Sequence, residues 1–306
     1  MNKFAFYTGC VSKGACPELY QSTVAVAKKI GVELVEMHDV GCNGAGVLST
    51  EISDPINART LAKAEQMGLP IMTICSTCQG VIGAARLRLT NEQYRTAINE
   101  RFLREEGLEY KGTTVVKHFL WILVEEVGVE PLEALVTNPL TDVGVSPFYG
   151  CYLRRPDDVI EQGGRKRYLE QIITGMGATN VDISGKGKCC GFPIASADET
   201  NSLAMAAKHT GEAKSKGADA MVVPCPLCHL NLDGQQDRAA AATKTELGIP
   251  VFHLPQLIGL ALGIDPQELG IQRNMVSLAP VLRKLGMVKQ PALAGNRERV
   301  QGTPSG

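Results

Sequence analysis

The sequence has no excess of charge of either sign: 31 Lys and Arg stand against 32 Asp and Glu, a formal net charge of -1. That balance argues against nucleic acid or an anionic membrane surface as a partner. Long apolar runs are missing too. No stretch approaches the ~20 residues of a spanning helix. The longest candidate, Ile249 to Ile264, is interrupted by Pro250, His253 and Pro255. A secretory leader is not recognisable either, because MNKFAFYTGC runs straight into Cys10. These absences predict a cytoplasmic protein, in which thiols stay reduced. The 306 residues and 44% hydrophobic content suffice for two packed cores.

What the chain does have is ten cysteines, nine of them in two copies of one pattern. The second copy reads Cys151, then the pair Cys189 and Cys190 before Gly191, then Cys225 and Cys228 in a CxxC unit. The first reads Cys10, then Cys42-Asn43-Gly44, then Cys75 and Cys78. In a reduced compartment such clusters indicate metal or redox chemistry rather than disulfide staples.

The two sets sit in a duplicated unit. Phe6-Tyr7-Thr8-Gly9-Cys10 parallels Pro147-Phe148-Tyr149-Gly150-Cys151. Each follows a short apolar run that reads as a strand. Each precedes a helix with one apolar face, marked by Tyr20, Val24, Ala27 and Ile30 or by Leu169, Ile172, Ile173 and Met176. Those helices stop near Gly31 and Gly177. Strands follow at 33–37 and 180–183. Asp54-Pro55 then reads as the cap and first position of a helix ending at Gly68, with a counterpart from Asp198 to Gly217. Further strands fall at 71–74 and 220–223, with a CxxC at or just after each. Val116-Lys117-His118 matches Val251-Phe252-His253.

This alternation predicts an α/β fold of two similar Rossmann-like halves related by internal duplication, with largely parallel sheets. Ligands gather at the carboxyl ends of such strands, where all the motif cysteines fall. The first unit spans 1–138, with a helical insertion at about 90–111 opened by a capping box at Thr90-Asn91-Glu92-Gln93. The second spans 139–275. A C-terminal extension covers 276–306 and reads as a mobile tail from about 294.

Thiolates are soft ligands that favour zinc, copper(I) or iron–sulfur clusters. Zinc fingers pair two CxxC units across a short loop. Here each set has one CxxC and its ligands are dispersed, which suits an iron–sulfur cluster drawing on several loops. The second set has five thiols, one more than a cubane needs.

The chain resembles the B subunit of heterodisulfide reductase, a family of CCG-domain iron–sulfur proteins that includes a bacterial sulfur-oxidising branch. The resemblance covers about residues 3–275. It rests on GVELVEM (31–37), EQMGLPIMTIC (65–75), FYGC (148–151), KCCG (188–191), CPLCHL (225–230) and IPVFHLPQLIGLALGIDPQELG (249–270) as well as on the cysteines. It implies that Cys151, Cys189, Cys190, Cys225 and Cys228 hold a noncubane 4Fe-4S cluster, and that Cys10, Cys42, Cys75 and Cys78 hold the other. It also implies thiol, disulfide or persulfide redox chemistry at that cluster, with electrons exchanged through a ferredoxin-like C subunit and a flavin-bearing A subunit. The alternative is an electron-transfer CCG subunit of a lactate, glycolate or succinate oxidising complex. The chain carries no flavin or nicotinamide signature and no C-x2-C-x2-C-x3-C-P run, so electrons must pass through partners.

One departure stands out. Aligning Gly44 with Gly191 puts Cys42 opposite Cys189 and Asn43 opposite Cys190. The first set therefore has four thiols, which predicts a 4Fe-4S cubane or an altered noncubane cluster there. Gly44 and Gly191 are read as letting backbone pass close to the cluster. The bland readings go to Cys16 as a buried inert thiol, to His118, His253 and His229 as structural hydrogen-bonding residues, and to Lys186 and Lys188 as a solvated face.

Overall fold

A computed structural model of the chain describes residues 3–154 and 162–288. Two four-stranded sheets form, and every pairing in them is parallel. The first joins β1 (Lys3–Tyr7), β2 (Glu33–Glu36), β3 (Ile71–Thr73) and β4 (Val116–His118) in the order β2-β1-β3-β4. The second repeats that order as β6-β5-β7-β8, from β5 (Gly144–Pro147), β6 (Thr179–Asn180), β7 (Ala220–Val223) and β8 (Val251–His253). The duplicated α/β architecture is therefore as the sequence predicts.

Parallel neighbours need crossovers, and the helices supply them. They are α1 (Pro17–Lys29), α2 (Thr50–Gln66), α3 (Ser76–Arg88), α4 (Tyr168–Gly175), α5 (Glu199–Ser215) and α6 (Pro226–Leu232), while α7 (Leu254–Ala261) follows the last strand. In α1 Pro17 sits at the start and Lys28 and Lys29 in the last turn, which suits the helix dipole. Every residue of α7 is buried, as befits a helix that is apolar on all sides.

The two halves share their interior. One apolar cluster contains Phe6, Leu19, Met72 and Phe119 together with Leu169, Ile172, Val222 and Phe252. A second contains Tyr7, Leu61 and Ile82 together with Phe148, Val223, Leu232 and five of the motif cysteines.

Three local expectations need correction. Helix α2 begins a turn before Asp54-Pro55, with Ser49 as its cap, and Pro55 lies inside it. Asp54 does not cap, because its carboxylate accepts from Arg88 Nε at 2.7 Å and from the Tyr94 hydroxyl at 3.0 Å. In the insertion, Asn91 rather than Thr90 caps the helix Glu92–Ile98, while the Thr90 hydroxyl turns back to the Leu87 carbonyl. Strand β6 stops at Asn180 instead of reaching Ile183, and Ser184 N is drawn off to the Glu212 carboxylate at 2.7 Å. The expected tail from about 294 lies outside the described residues.

Candidate metal centre

The nine cysteines converge from both halves. Cys75 and Cys225 stand just past the ends of β3 and β7 as the caps of α3 and α6, and Cys78 and Cys228 follow in the first turns. All four are buried. Cys10 begins a single helical turn after β1, and Cys42 lies in the loop after β2; both are exposed. Cys151 and Cys189 are half-buried, and Cys190 is buried.

Seven of the nine sulfurs follow one another in a row. Cys151 lies beside Cys189, Cys189 beside Cys190, Cys190 beside Cys228 and Cys228 beside Cys225, each pair close enough to shift the protonation of its neighbour. Cys225 then reaches across to Cys75, Sγ to Sγ 3.9 Å, and Cys75 to Cys78. Cys10 and Cys42 form a separate contact of 3.6 Å.

Charge settles unevenly along this chain. Hydrogen bonds from Cys151 and Cys190 pull Cys189 down to about 2. Those from Cys228 and Cys75 hold Cys225 well below the ordinary thiol range, despite its burial. Their neighbours move the other way: sharing a proton with Cys189 pushes Cys190 up to about 12. Soft donors so crowded suit a multinuclear sulfide-bridged metal core better than a single ion.

Backbone geometry repeats in the two sets. Gly44 N donates to Cys42 Sγ and Gly191 N to Cys189 Sγ, both at 3.4 Å. Both glycines take a positive φ, 81° and 99°, which a side chain would disfavour. Asn43 occupies the place of Cys190. Its Oδ1 accepts from Ala45 N at 3.1 Å, as Cys190 Sγ accepts from Phe192 N at 3.5 Å. Its amide donates to the Cys78 carbonyl at 3.3 Å. A hollow lined by Tyr7, Cys10, Cys42, Asn43, Thr77 and Leu227, among others, opens beside the first set.

Several residues near the cysteines were not evident from spacing. The Asn231 amide donates to the Cys190 carbonyl at 2.7 Å. His209 Nε2 bonds the Cys189 carbonyl at 3.0 Å and its ring lies on Phe148. The Pro224 carbonyl, just before Cys225, receives His118 Nε2 at 2.9 Å and Ser76 Oγ at 3.3 Å from the first half. Thr77 Oγ1 lies 3.6 Å from Cys225 Sγ. The one available signal was polar chemistry inside the first CxxC, where the second has Pro226 and Leu227.

The remaining expectations divide. His118 has a structural role, with Nδ1 accepting from Leu120 N, and burial pushes it down to about 4, so it is neutral. His229 bonds the Val251 carbonyl at 2.9 Å, and His253 faces Glu18. Lys186 is taken up by the carboxylates of Glu170 and Asp182, and Lys188 is exposed. Cys16 is buried.

The chain matches a family model described as a cysteine-rich CCG domain twice, over residues 4–83 and 145–233. It is 36% identical to the 8-methylmenaquinol:fumarate reductase membrane anchor subunit of Wolinella succinogenes, over 90% of this chain and 97% of that protein. It is 32% identical to the B subunit of a CoB-CoM heterodisulfide reductase from Methanosarcina acetivorans, over 93% and 97%. A crystal structure of a hypothetical protein from Helicobacter pylori superimposes with a TM-score of 0.73 at 16% identity, covering 90% of this chain and 52% of that one. That last likeness concerns the fold. Among the described residues no helix is long and apolar enough to cross a membrane.

Proposed function

Since the chain belongs to the cysteine-rich CCG family shared with heterodisulfide reductase B subunits, we propose that it is an iron–sulfur redox subunit performing thiol, disulfide or persulfide chemistry. The observation that carries this reading is the unbroken run of seven sulfurs from Cys151 to Cys78, which passes between halves at Cys75 and Cys225. Cys151, Cys189, Cys190, Cys225 and Cys228 would hold a noncubane 4Fe-4S cluster. Cys10, Cys42, Cys75 and Cys78 would hold a 4Fe-4S cubane or an altered noncubane cluster. When bound, such clusters supply one-electron transfer and iron that can take a substrate sulfur.

The chain's own residues would prepare that chemistry. The amides of Gly44 and Gly191 donate to cysteine sulfur, which stabilises negative charge there. Exposed Cys10 and Cys42 leave the first set reachable from solvent through the hollow beside Tyr7 and Thr77. The neutral His118 anchors backbone and holds no proton for the reaction. Each unit, 1–138 and 139–275, would carry one cluster. A ferredoxin-like C subunit and a flavin-bearing A subunit would exchange the electrons in a cytoplasmic complex.

The fumarate reductase relative and the substituted Asn43 favour a second reading, in which both clusters only pass electrons. Electron paramagnetic resonance on oxidised, anaerobically prepared protein separates the two. Adding a small thiol changes the signal if substrate sulfur binds iron; an unchanged signal selects the electron-conduit reading.

A further inference from the structure

Away from the nine cysteines, four side chains face one another between the halves. Cys16 and Glu18 lie at the start of α1, His229 in α6 and His253 at the end of β8. One ligand atom from each lies within 4.8 Å of all the others. Cys16 is 1% exposed, Glu18 4%, His229 4% and His253 0%. The two imidazoles stack with centroids 3.7 Å apart, and His253 Nε2 lies 3.1 Å from Glu18 Oε1. His253 also caps α7, its side chain receiving the backbone N–H of Gln256 in a capping box, so Nε2 is the nitrogen turned toward Glu18.

We propose that these four side chains bind a single zinc-class divalent ion, at a site distinct from both cysteine sets. A thiolate, a carboxylate and two imidazoles are the donors zinc takes in closed four-coordinate sites. The Cys16 thiolate and the Glu18 carboxylate together cancel a dication, so the buried site is neutral overall. Bonds of 2.0–2.3 Å place tetrahedral donors roughly 3.3–3.8 Å apart, so on binding the set closes by about 1 Å and the two stacked rings turn out of their near-parallel arrangement until both lone pairs meet the ion.

The surroundings already orient the donors. Glu18 Oε2 accepts from Arg273 Nε at 3.3 Å, which leaves Oε1 facing the histidines. With its Nε2 hydrogen on the Val251 carbonyl, His229 keeps the Nδ1 lone pair for an ion. Gly270 packs so closely that a Cβ there would lie 2.7 Å from Glu18 Cβ, fixing the start of that side chain. An ion here ties α1 of the first half to α6 and β8 of the second. His229 directly follows Cys228, so the ion would be tied to the second cysteine set through α6.

The test uses full-length protein made without oxygen, incubated with zinc chloride and desalted. Metal analysis is expected to give about one zinc per chain in addition to iron, bound through one sulfur and three nitrogen or oxygen neighbours in zinc-edge X-ray absorption. Cys16→Ala and Glu18→Gln, made separately, are expected to lose that zinc while keeping iron. The iron readout stands apart, so failure of the cluster assignment does not mask the result. If a variant does not fold, the wild-type absorption spectrum decides alone. No retained zinc overturns the proposal, as does a zinc surrounded by three or four sulfurs or one that persists in both variants. Any of these leaves the four residues a hydrogen-bonded network around the Glu18–His253 pair.

Discussion

Cys75 and Cys225 belong to different halves, yet their sulfurs lie 3.9 Å apart in the protein interior. Each is the cap of the helix after an equivalent strand, so the pseudo-symmetric design brings the two CxxC units edge to edge. Thr77 adds a further contact to Cys225 from the same direction.

Disturbing that junction affects both sites. Cys225→Ser is expected to alter the spectroscopic signatures of both cysteine sets and to lose most of the bound iron. Cys10→Ser, at the exposed end of the first set, is expected to alter one signature only. Iron analysis with electron paramagnetic resonance of the two variants checks this.

Asn43 stands in for Cys190 down to the amide it caps. Asn43→Cys is expected to raise the iron and sulfide content of the first site and to give it the signature of the second. Asn43→Ala removes a local cap and is expected to cost about 1 kcal/mol of stability without such conversion. Denaturant titration and iron analysis separate the two effects.

His209 fixes the Cys189 carbonyl from the middle of α5. His209→Ala leaves that carbonyl unpaired, and is expected to cost about 1–3 kcal/mol and to shift the midpoint potential of the second set. His209→Gln, still a donor, is expected to recover most of both. A redox titration of the three proteins tests the ranking.

Gly150 holds φ at 69°, and a Cβ there would lie 2.9 Å from Cys228 Sγ. Gly31 has a similar φ of 74° but nothing within 4 Å. Both alanine variants carry the backbone penalty of roughly 1 kcal/mol. Only Gly150→Ala is expected to lose iron as well, which metal analysis reads directly.

Burial raises the Asp233 carboxyl from 3.8 to about 6, against opposing hydrogen bonds from Met275 N and Val276 N. The folded state therefore holds its proton more tightly than the unfolded chain. Stability from that proton is full below about 4 and is lost as pH rises through about 6. Above that, the ionised form is disfavoured by roughly 3 kcal/mol relative to a permanently neutral side chain. Asp233→Asn is expected to match wild type near pH 4 and to exceed it at pH 8 in urea midpoint. A constant difference across that range would contradict the assignment.

The duplicated cysteine pattern and the strands beneath it were legible because soft donors and apolar runs mark themselves locally. The Asn43 substitution could be located from Gly44 and Gly191 alone, and the two glycine amides bond equivalent sulfurs. The contacts between halves were not legible. Nothing in the spacing of Cys75 and Cys225 says that two CxxC units meet, since that follows from how two sheets share an interior. Asn231 and His209 act on backbone carbonyls far away in sequence, and their helices carry no trace of it. Asp54 resembled a cap by residue type, but Arg88 and Tyr94 claimed its carboxylate from elements that fold against it.

The Pro224 carbonyl, held by His118 and Ser76, sets a condition on reuse of this architecture. A protein engineer who lifts the second half out as a minimal scaffold removes both donors and opens that oxygen, with the shared apolar interior around Cys225, to water. The excised piece would need a substitute cover over its new surface before its thiols could keep their arrangement. A modular sequence has thus yielded a scaffold that cannot be divided along its own repeat.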